Sequence, residues 1–216
     1  SAVPTMHQVI LSRASKNLKI IEKTKLRFIR SSSSSLPSKT MKEIEKTFQC
    51  PLIESYGMTE ASHQMTSNHL PPGKRKASKV GFAAGPDVVI MGKKDNILEN
   101  GKIGEVCIKG DNLTRGYINN HKANLDSFVN GWFKTGDQGF YDKEGFLQLT
   151  GRIKEIINKG GEKISPLEID GAIMEHSSVF QCLSFPITHS KLGEDIAAAV
   201  VLKDSHKITE QELKEF

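Results

Sequence analysis

The stretch Glu54-Ser-Tyr-Gly-Met-Thr-Glu-Ala-Ser-His63 decides how the rest of the chain is interpreted. It follows the apolar run 51–53, which predicts a short buried strand. Gly57 lets the backbone turn sharply and present amides or carbonyls to a ligand. Thr59 and Glu60 are then expected at the carboxyl end of the strand, where open α/β sheets bind ligands.

The residue types in this stretch suit a nucleotide. The Thr59 hydroxyl suits a phosphate oxygen, the Glu60 carboxylate suits Mg²⁺ held between protein and phosphates, and the face of Tyr56 suits a purine. Taken alone, however, the stretch is better explained as a polar exit from a strand with a buried tyrosine. Its function therefore depends on what else the chain contains.

Composition indicates a folded chain with a core of its own. With 216 residues, 37% hydrophobic and 25% charged, the chain is long enough for one domain or two small ones. Its longest apolar run, residues 196–202, is far shorter than the roughly 20 residues of a membrane helix, and we expect no membrane partner. Cys50, Cys107 and Cys182 show no paired spacing, which favours a reducing, intracellular environment over disulfides or a zinc site.

The net charge of +5 includes one local cluster of basic residues, Lys74-Arg75-Lys76 with Lys79. Such a cluster can contact nucleic acid, but no aromatic residues interleave it for base stacking. We therefore prefer a solvated loop, or a basic loop beside a site for anionic ligands. A nucleic-acid partner is the less favoured interpretation.

The N-terminal part alternates helices and strands. Hydrophobic spacing predicts a helix over residues 3–14, a strand over 26–30 and a helix whose apolar face carries Met41, Ile44 and Phe48. Between the last two lie the five serines 31–35, which by composition alone would be a flexible linker. Their position between a strand and a helix indicates a tight βα loop instead.

The second half of the chain is richer in strands. Short strands are predicted over residues 88–91, 105–109, 139–141 and 146–150, separated by Gly, Asp and Asn turns, which indicates a β-rich subdomain. After Arg152 the pattern predicts a helix over 166–176, strands over 179–185 and 196–202, and a helix from Ile208. The fold class is therefore α/β, with a small α+β unit beginning around residue 154.

Two later stretches change the interpretation of the first. Trp132-Phe-Lys-Thr-Gly-Asp137 ends in a carboxylate on a glycine turn, and Gly151-Arg-Ile-Lys-Glu155 opens a run that closes with Gly160-Gly-Glu-Lys-Ile-Ser-Pro166. In this order and spacing, the stretches resemble the adenylate-forming acyl-CoA synthetase superfamily, which includes luciferases and the adenylation domains of peptide synthetases. The resemblance covers nearly the whole chain, and it looks most like the oxalyl-CoA synthetases in residues 30–36, 58–63 and 151–155.

The resemblance implies a domain organisation and a set of ligands. Residues 1–153 would be the C-terminal portion of the large AMP-binding domain, and residues 154–216 the start of the small mobile C-terminal domain. The implied ligands are ATP, Mg²⁺, CoA and a small carboxylic acid. The family's glycine-rich phosphate loop and its C-terminal lysine are absent, so we expect the chain to be a partial piece that is inactive alone.

The resemblance also assigns roles around the nucleotide. It implies that Thr59 contacts the phosphates, Glu60 Mg²⁺, Tyr56 the adenine, Asp137 the ribose hydroxyls, and Arg152 the ribose and phosphate side. Such catalysis rests on positioning and on stabilising phosphate charge, which suits a hydroxyl, a metal-bound carboxylate and a cation. Each of three residues has a structural alternative: Tyr56 could lie in the core, Asp137 could be an ordinary turn aspartate, and Arg152 could form a surface ion pair.

By the same resemblance, Lys154, Gly160 and Gly161 are expected to serve the second step of the reaction, thioester formation. Lys154 corresponds to the family's hinge, where the small domain swings between adenylate and thioester formation, and a hinge needs backbone freedom more than a particular side chain. Gly160 and Gly161 would let the pantetheine arm of CoA pass close to an extended strand. A solvated lysine and a plain β-turn explain the same residues.

The polar surroundings of His63 suggest the acid. A long-chain acid needs an apolar slot, so a small acid with a second polar end, such as oxalate, fits better. The resemblance places the serine loop beside the adenine and the acyl pocket. His63 could then bind the distal carboxylate with Ser33, Ser34 or Ser35, or it could simply bond a loop carbonyl.

Location and function each keep alternatives. We expect the peroxisome or the cytoplasm, the peroxisome being favoured by the resemblance alone. Ser190-Lys-Leu192 spells a peroxisomal address, but it is internal, so an import receptor would need a C-terminus that this sequence lacks. The other functions are a medium-chain or aromatic acyl-CoA synthetase, a carrier-protein adenylation domain, a luciferase-like oxygenase and a non-enzymatic nucleotide- or RNA-binding module.

Overall fold

The computed structural model describes residues 1–204 and 206–216. These residues contain six α-helices and thirteen strands, and the strands form three β-sheets. The chain divides into two units, Ser1–Leu149 and Thr150–Phe216. The α/β class expected from the sequence is confirmed. The assignment of residues 1–153 to a large domain and 154–216 to a small one stays a prediction.

The first sheet contains the strand that leads into the 54–63 stretch. Its order is β1 (Ile29–Ser31), β2 (Leu52–Tyr56), β3 (Thr66–Ser67) and β4 (Phe82–Ala83). β1 and β2 are parallel, so their carboxyl ends meet at one edge of the sheet, and β3 and β4 continue it antiparallel. All five residues of β2 are buried, which confirms the predicted buried strand and extends it.

Three helices precede or follow β1, namely α1 (Pro4–Ala14), α2 (Leu18–Lys23) and α3 (Ser38–Phe48). α3 buries Met41 and Ile44 against Leu36 and Leu52, as its apolar face predicts. Ser31 ends β1, and the other four serines, 32–35, therefore lie in a loop that connects a strand to a helix, as predicted. The predicted strand 26–30 is wrong at its start, because the Leu26 side chain is exposed and only residues 29–31 pair with β2.

The second sheet forms the predicted β-rich subdomain. Its members are β5 (Asp87–Met91), β6 (Gly104–Lys109), β7 (Phe128–Val129), β8 (Trp132–Tyr141) and β9 (Leu147–Arg152), with the helix α4 (His121–Ser127) before β7. The order is β5-β6-β8-β7, and β9 also pairs with β8. Val106, Ile108 and Phe133 are fully buried in the core of this unit.

Strand β8 corrects the sequence-based prediction. The sequence predicted a strand over 139–141 only and a glycine turn at Asp137, but the structure has one strand of ten residues. Gly136 has a φ of 74°, and Glu105 pairs with Gln138 whereas Cys107 pairs with Lys134. Between these two pairs, β8 advances by four residues while β6 advances by two. The extra residues of β8 form a β-bulge at Gly136, and such a bulge reorients the neighbouring side chains.

The second unit contains the third sheet and two helices. The sheet order is β11 (Glu162–Ile164), β10 (Ile157–Lys159), β13 (Gly193–Leu202) and β12 (Val179–His189), and the helices are α5 (Pro166–Glu175) and α6 (Glu210–Glu215). Ser165 caps α5, and Thr209 with Glu212 forms a capping box on α6. The predicted α+β pattern is thus confirmed. No helix among the described residues is long and apolar enough to cross a bilayer.

Candidate active site

A short turn after β2 carries the hydroxyl and carboxylate singled out from the sequence. Residues Thr59–Ala61 form one turn of 3₁₀ helix, and Ala61 N and His63 N donate to Met58 O at 3.1 Å and 2.9 Å. Ala61 is fully buried, Glu60 is half-buried and Thr59 is exposed. The turn is therefore anchored through its alanine and presents the other two side chains beyond the strand end, as expected.

Gly57 is required for a different reason from the predicted one. Its φ is not in the left-handed region, so no sharp glycine turn occurs there. Instead, a Cβ at Gly57 would lie 1.2 Å from the carbonyl oxygen of His63. The loop therefore closes on itself at Gly57 and admits no side chain at that position.

The structure brings Tyr56 and Asp137 together. The Tyr56 hydroxyl donates a hydrogen bond to Asp137 Oδ2, and both residues are buried. Tyr56 also belongs to the core cluster of the first unit, so the alternative of a core tyrosine is realised, together with a polar role. The bulge in β8 places the carboxylate beside the end of β2.

A carboxylate that the sequence analysis missed lies two residues before this tyrosine. Glu54 is 4% exposed, and its Oε1 and Oε2 accept from Leu36 N at 3.3 Å and from Ser78 N at 2.9 Å. Burial raises the pKa of this carboxyl to about 7, although the two N–H donors oppose the shift. The sequence did contain a signal for this carboxylate, because Glu54 is a charged residue directly after the apolar run 51–53 that predicts a buried strand.

The serine loop is exposed between two buried ends. Ser32 and Leu36 are buried, whereas Ser33, Ser34 and Ser35 are exposed. Arg30, which precedes this loop, donates to Gln64 Oε1 at 3.3 Å. Gln64 directly follows the exposed His63, so the start of the serine loop and the His63 loop are neighbours.

The remaining predicted residues lie in the second unit. Arg152, the last residue of β9, and Lys154, in a 3₁₀ turn, are exposed. Gly160 and Gly161 connect β10 to β11 with φ of 61° and 97°. The extended glycine-bearing strand expected there is wrong: two left-handed residues form a tight hairpin turn, which glycine tolerates best.

The basic loop is fastened by ion pairs within the first unit. Its cations pair with acids as follows: Arg75 with Glu45 at 2.9 Å, Lys79 with Asp142 at 3.3 Å, Lys76 with Asp142 at 3.4 Å and Lys74 with Glu144 at 3.8 Å. The basic residues of the loop are thus exposed or half-buried, as the preferred interpretation of a solvated loop expects, and their ion pairs connect the loop to α3 and to the turn between β8 and β9.

The carboxylate of Glu60 fits a magnesium ion shared with phosphates. No group of three or more potential metal-ligating side chains exists among the described residues. Mg²⁺ in nucleotide sites, however, takes one or two carboxylates, and phosphate oxygens and water supply the rest. The Tyr117 hydroxyl donates to Glu60 Oε1 at 2.9 Å, and Oε2 has no hydrogen-bond or ion-pair partner in the described part of the chain.

A family model for AMP-binding enzymes matches residues 1–118. The chain belongs to the AMP-binding enzyme family. It is 50% identical to an oxalate–CoA ligase of Saccharomyces cerevisiae and 46% identical to one of Arabidopsis thaliana, in each case over 100% of this chain. It spans 39% and 42% of those two proteins. The resemblance stated from the sequence is thus confirmed.

Two solved structures show the same fold. An ATP-bound RpMatB-BxBclM chimera has a TM-score of 0.89 at 30% identity, covering 99% of this chain and 43% of that one. ATP-bound MatB from Rhodopseudomonas palustris has a TM-score of 0.81 at 26% identity, covering 97% of this chain and 45% of that one. The chain therefore shares its fold with two proteins whose structures were solved with ATP bound.

Proposed function

We propose that the whole protein containing this chain is an ATP-dependent acid–CoA ligase whose acid is oxalate. The observation that carries the proposal is identity of 50% and 46% along the entire chain to two oxalate–CoA ligases. In the reaction, a carboxylate oxygen bonds to the α-phosphorus of ATP as pyrophosphate leaves. The CoA sulfur then bonds to the acyl carbon as AMP leaves and the thiol proton is released.

The turn after β2 serves the phosphates. The exposed Thr59 hydroxyl donates to a phosphate oxygen, and Glu60 keeps one carboxylate oxygen for Mg²⁺, which neutralises charge on the phosphates. Arg152 supplies a cation on the ribose and phosphate side. These groups are positioned before the reaction, which is how such sites lower the barrier.

The adenosine is held by residues of the first unit. The Tyr56 ring packs on the adenine, and Asp137 accepts from the ribose hydroxyls. The hydrogen bond between these two residues supports the proposal, because it fixes the carboxylate beside the ring. The main chain at Gly57 continues this surface toward the phosphates.

His63 and the serines Ser33, Ser34 and Ser35 bind the distal carboxylate of the acid. Support comes from their exposure and from the contact between Arg30 and Gln64, which joins the two loops. Lys154 is the hinge for the thioester step, and the turn Gly160–Gly161 lies along the pantetheine arm of CoA. A peroxisomal or cytoplasmic location, with an import receptor as partner in the first case, belongs to the same proposal.

ATP–pyrophosphate exchange across a panel of small acids tests this function in the whole protein. We expect exchange with oxalate, and an oxalyl thioester as product when CoA is added. Exchange with aromatic or medium-chain acids alone would overturn the substrate, and exchange without a thioester would favour a carrier-protein or oxygenase reaction. Salt-dependent RNA binding that persists in Glu60→Ala would favour the nucleic-acid alternative.

A further inference from the structure

Tyr117, which lies outside the stretches singled out from the sequence, binds the Glu60 carboxylate. The Tyr117 hydroxyl donates to Glu60 Oε1, as described above, and the Tyr117 ring packs against the core cluster of the first unit. One oxygen of the carboxylate is therefore fixed from the core side. In the part of the chain that the structure describes, the other oxygen, Oε2, has no hydrogen-bond or ion-pair partner.

The main chain of the same turn is tied to the segment that carries this tyrosine. Thr114 N donates to Glu60 O at 2.7 Å, and Asn112 Nδ2 donates to Ala61 O at 2.7 Å. Ser62 Oγ donates to Asn112 O at 3.0 Å. Residues 112–117, which we call the brace, thus hold both the backbone and the side chain of the turn.

Helix α4 in turn fixes the brace. Asn124 Oδ1 accepts from Tyr117 N at 2.7 Å, and Asn124 Nδ2 donates to Tyr117 O at 3.0 Å. Gly116 has a φ of 136°, and a Cβ there would lie 2.9 Å from Asn124 Oδ1, so glycine permits this close approach. The position of the phenol is therefore set by contacts within the chain.

We propose that Tyr117 is a positioning residue that holds Glu60 so that Oε2 is available to Mg²⁺. The inference rests on the proposed function, in which Glu60 binds Mg²⁺. Partners that orient a ligating side chain set metal affinity, and their loss typically weakens metal binding about 10–100-fold. Without the hydroxyl, the Glu60 side chain gains rotamer freedom that metal binding must remove.

The test compares Tyr117→Phe with Tyr141→Phe in the whole protein. Tyr141 packs on the same core cluster and its hydroxyl donates to Val88 O at 3.1 Å, so the control removes an equivalent hydroxyl away from Glu60. We expect Tyr117→Phe to require a Mg²⁺ concentration at least about tenfold higher than the wild type. This increase should appear both in ATP binding measured by calorimetry and in the Mg²⁺ concentration that gives half-maximal pyrophosphate exchange. ATP binding without Mg²⁺ should not change, and Tyr141→Phe should keep the wild-type Mg²⁺ requirement.

Further variants separate this inference from the proposed function. If Glu60→Gln keeps the wild-type Mg²⁺ requirement, the proposed role of Glu60 fails. If Glu60→Gln changes that requirement and Tyr117→Phe does not, only the inference is overturned. Adding Tyr117→Phe to Glu60→Gln should not alter the Mg²⁺ response further. Asn124→Ala, which keeps the phenol but removes its main-chain clamp, gives a second measurement if Tyr117→Phe folds poorly, and a wild-type Mg²⁺ requirement there overturns the inference.

Discussion

The serine loop and the His63 loop contain three residues with a left-handed backbone. Ser33, Ser62 and His63 have φ of 75°, 50° and 82°. Residues with a Cβ rarely adopt this conformation, and it persists where the surrounding structure holds it. At His63 the holding contact is the main chain of Gly57, which approaches the His63 carbonyl more closely than any side chain would allow. The His63 side chain thus projects from a backbone that is held in one conformation.

Replacing His63 by alanine tests its proposed contact with the acid. Oxalate would then have an unpaired charge in the site, which costs on the order of 3–5 kcal/mol, or a few hundredfold or more in catalytic efficiency. A monocarboxylate such as acetate loses no specific contact. The ratio of kcat/KM for oxalate and acetate should therefore collapse when both are measured at one pH near neutrality.

His69→Ala is the matched control for that variant. His69 is an exposed histidine that stacks on Phe82 with ring centroids 4.7 Å apart, and we expect it to leave the ratio unchanged. A constant ratio in His63→Ala, even with both activities lowered, would mean that His63 supports its loop and does not contact the acid.

Asp137→Ala should weaken ATP binding in the whole protein. The lost charge-assisted bond to the ribose corresponds to roughly 1.5–3 kcal/mol, which calorimetry can measure. Tyr56→Phe breaks the same Tyr56–Asp137 hydrogen bond but keeps the ring and the carboxylate, so it should weaken binding less. Equal losses in the two variants would assign Asp137 to the fold, as would an unchanged ATP affinity in Asp137→Ala.

At the scale of elements, strand β2 joins two loops through one buried carboxyl. Glu54 accepts from the backbone of the serine loop and from the backbone at Ser78, while its own carbonyl accepts from Asn68 N at 3.0 Å. Asn68 Nδ2 also donates to Lys79 O at 2.5 Å. The strand therefore determines the position of both loops that border the candidate site.

The stability of this arrangement should depend on pH. Because burial raises the folded-state pKa of Glu54 from 4.5 to about 7, the folded chain keeps a proton that the unfolded chain has released. Stability from this group is thus complete below about pH 4.5 and falls as the pH rises to about 7, by roughly 3 kcal/mol in all. Urea unfolding from pH 4.5 to 8 measures this slope.

Glu54→Gln should remove that slope. Its amide would place one NH₂ against a backbone donor and lower stability at every pH, but an amide does not titrate in this range. Glu43→Gln, at an exposed position of α3, should keep the wild-type slope. A slope that survives in Glu54→Gln would show that the pH dependence arises elsewhere.

At the scale of the whole molecule, Lys154 lies just after the division between the two units. It occupies the 3₁₀ turn Ile153–Glu155, and the second unit begins at Thr150. If this turn is the hinge, Lys154→Pro should spare oxalate-dependent pyrophosphate exchange and impair thioester formation, because proline fixes φ and blocks one of two required backbone states.

Lys154→Ala separates the backbone from the side chain. It removes the ammonium group and keeps the backbone free, so both half-reactions should proceed at close to the wild-type rate. Single-turnover assays of the two steps give the comparison. Equal loss of both steps in Lys154→Pro would indicate misfolding and not a blocked hinge.

Elements whose signals are local could be predicted from the amino-acid sequence. The apolar face of α3, the buried start of β2 and the turn residues between short strands each depend on neighbours within a few positions, so hydrophobic period and turn chemistry sufficed. The stretches around Glu60, Asp137 and Arg152 were also sufficient for the family, because their order along the chain is itself the signal.

Contacts between groups far apart in the sequence could not be predicted and became known from the fold. Tyr56 and Asp137 are 81 residues apart and Glu60 and Tyr117 are 57 apart, and no local pattern records such a pairing. The bulge at Gly136 and the role of Gly57 likewise depend on a facing strand and on the His63 carbonyl. Close packing and hydrogen bonding between distant segments set these contacts, so they become visible once the chain has folded.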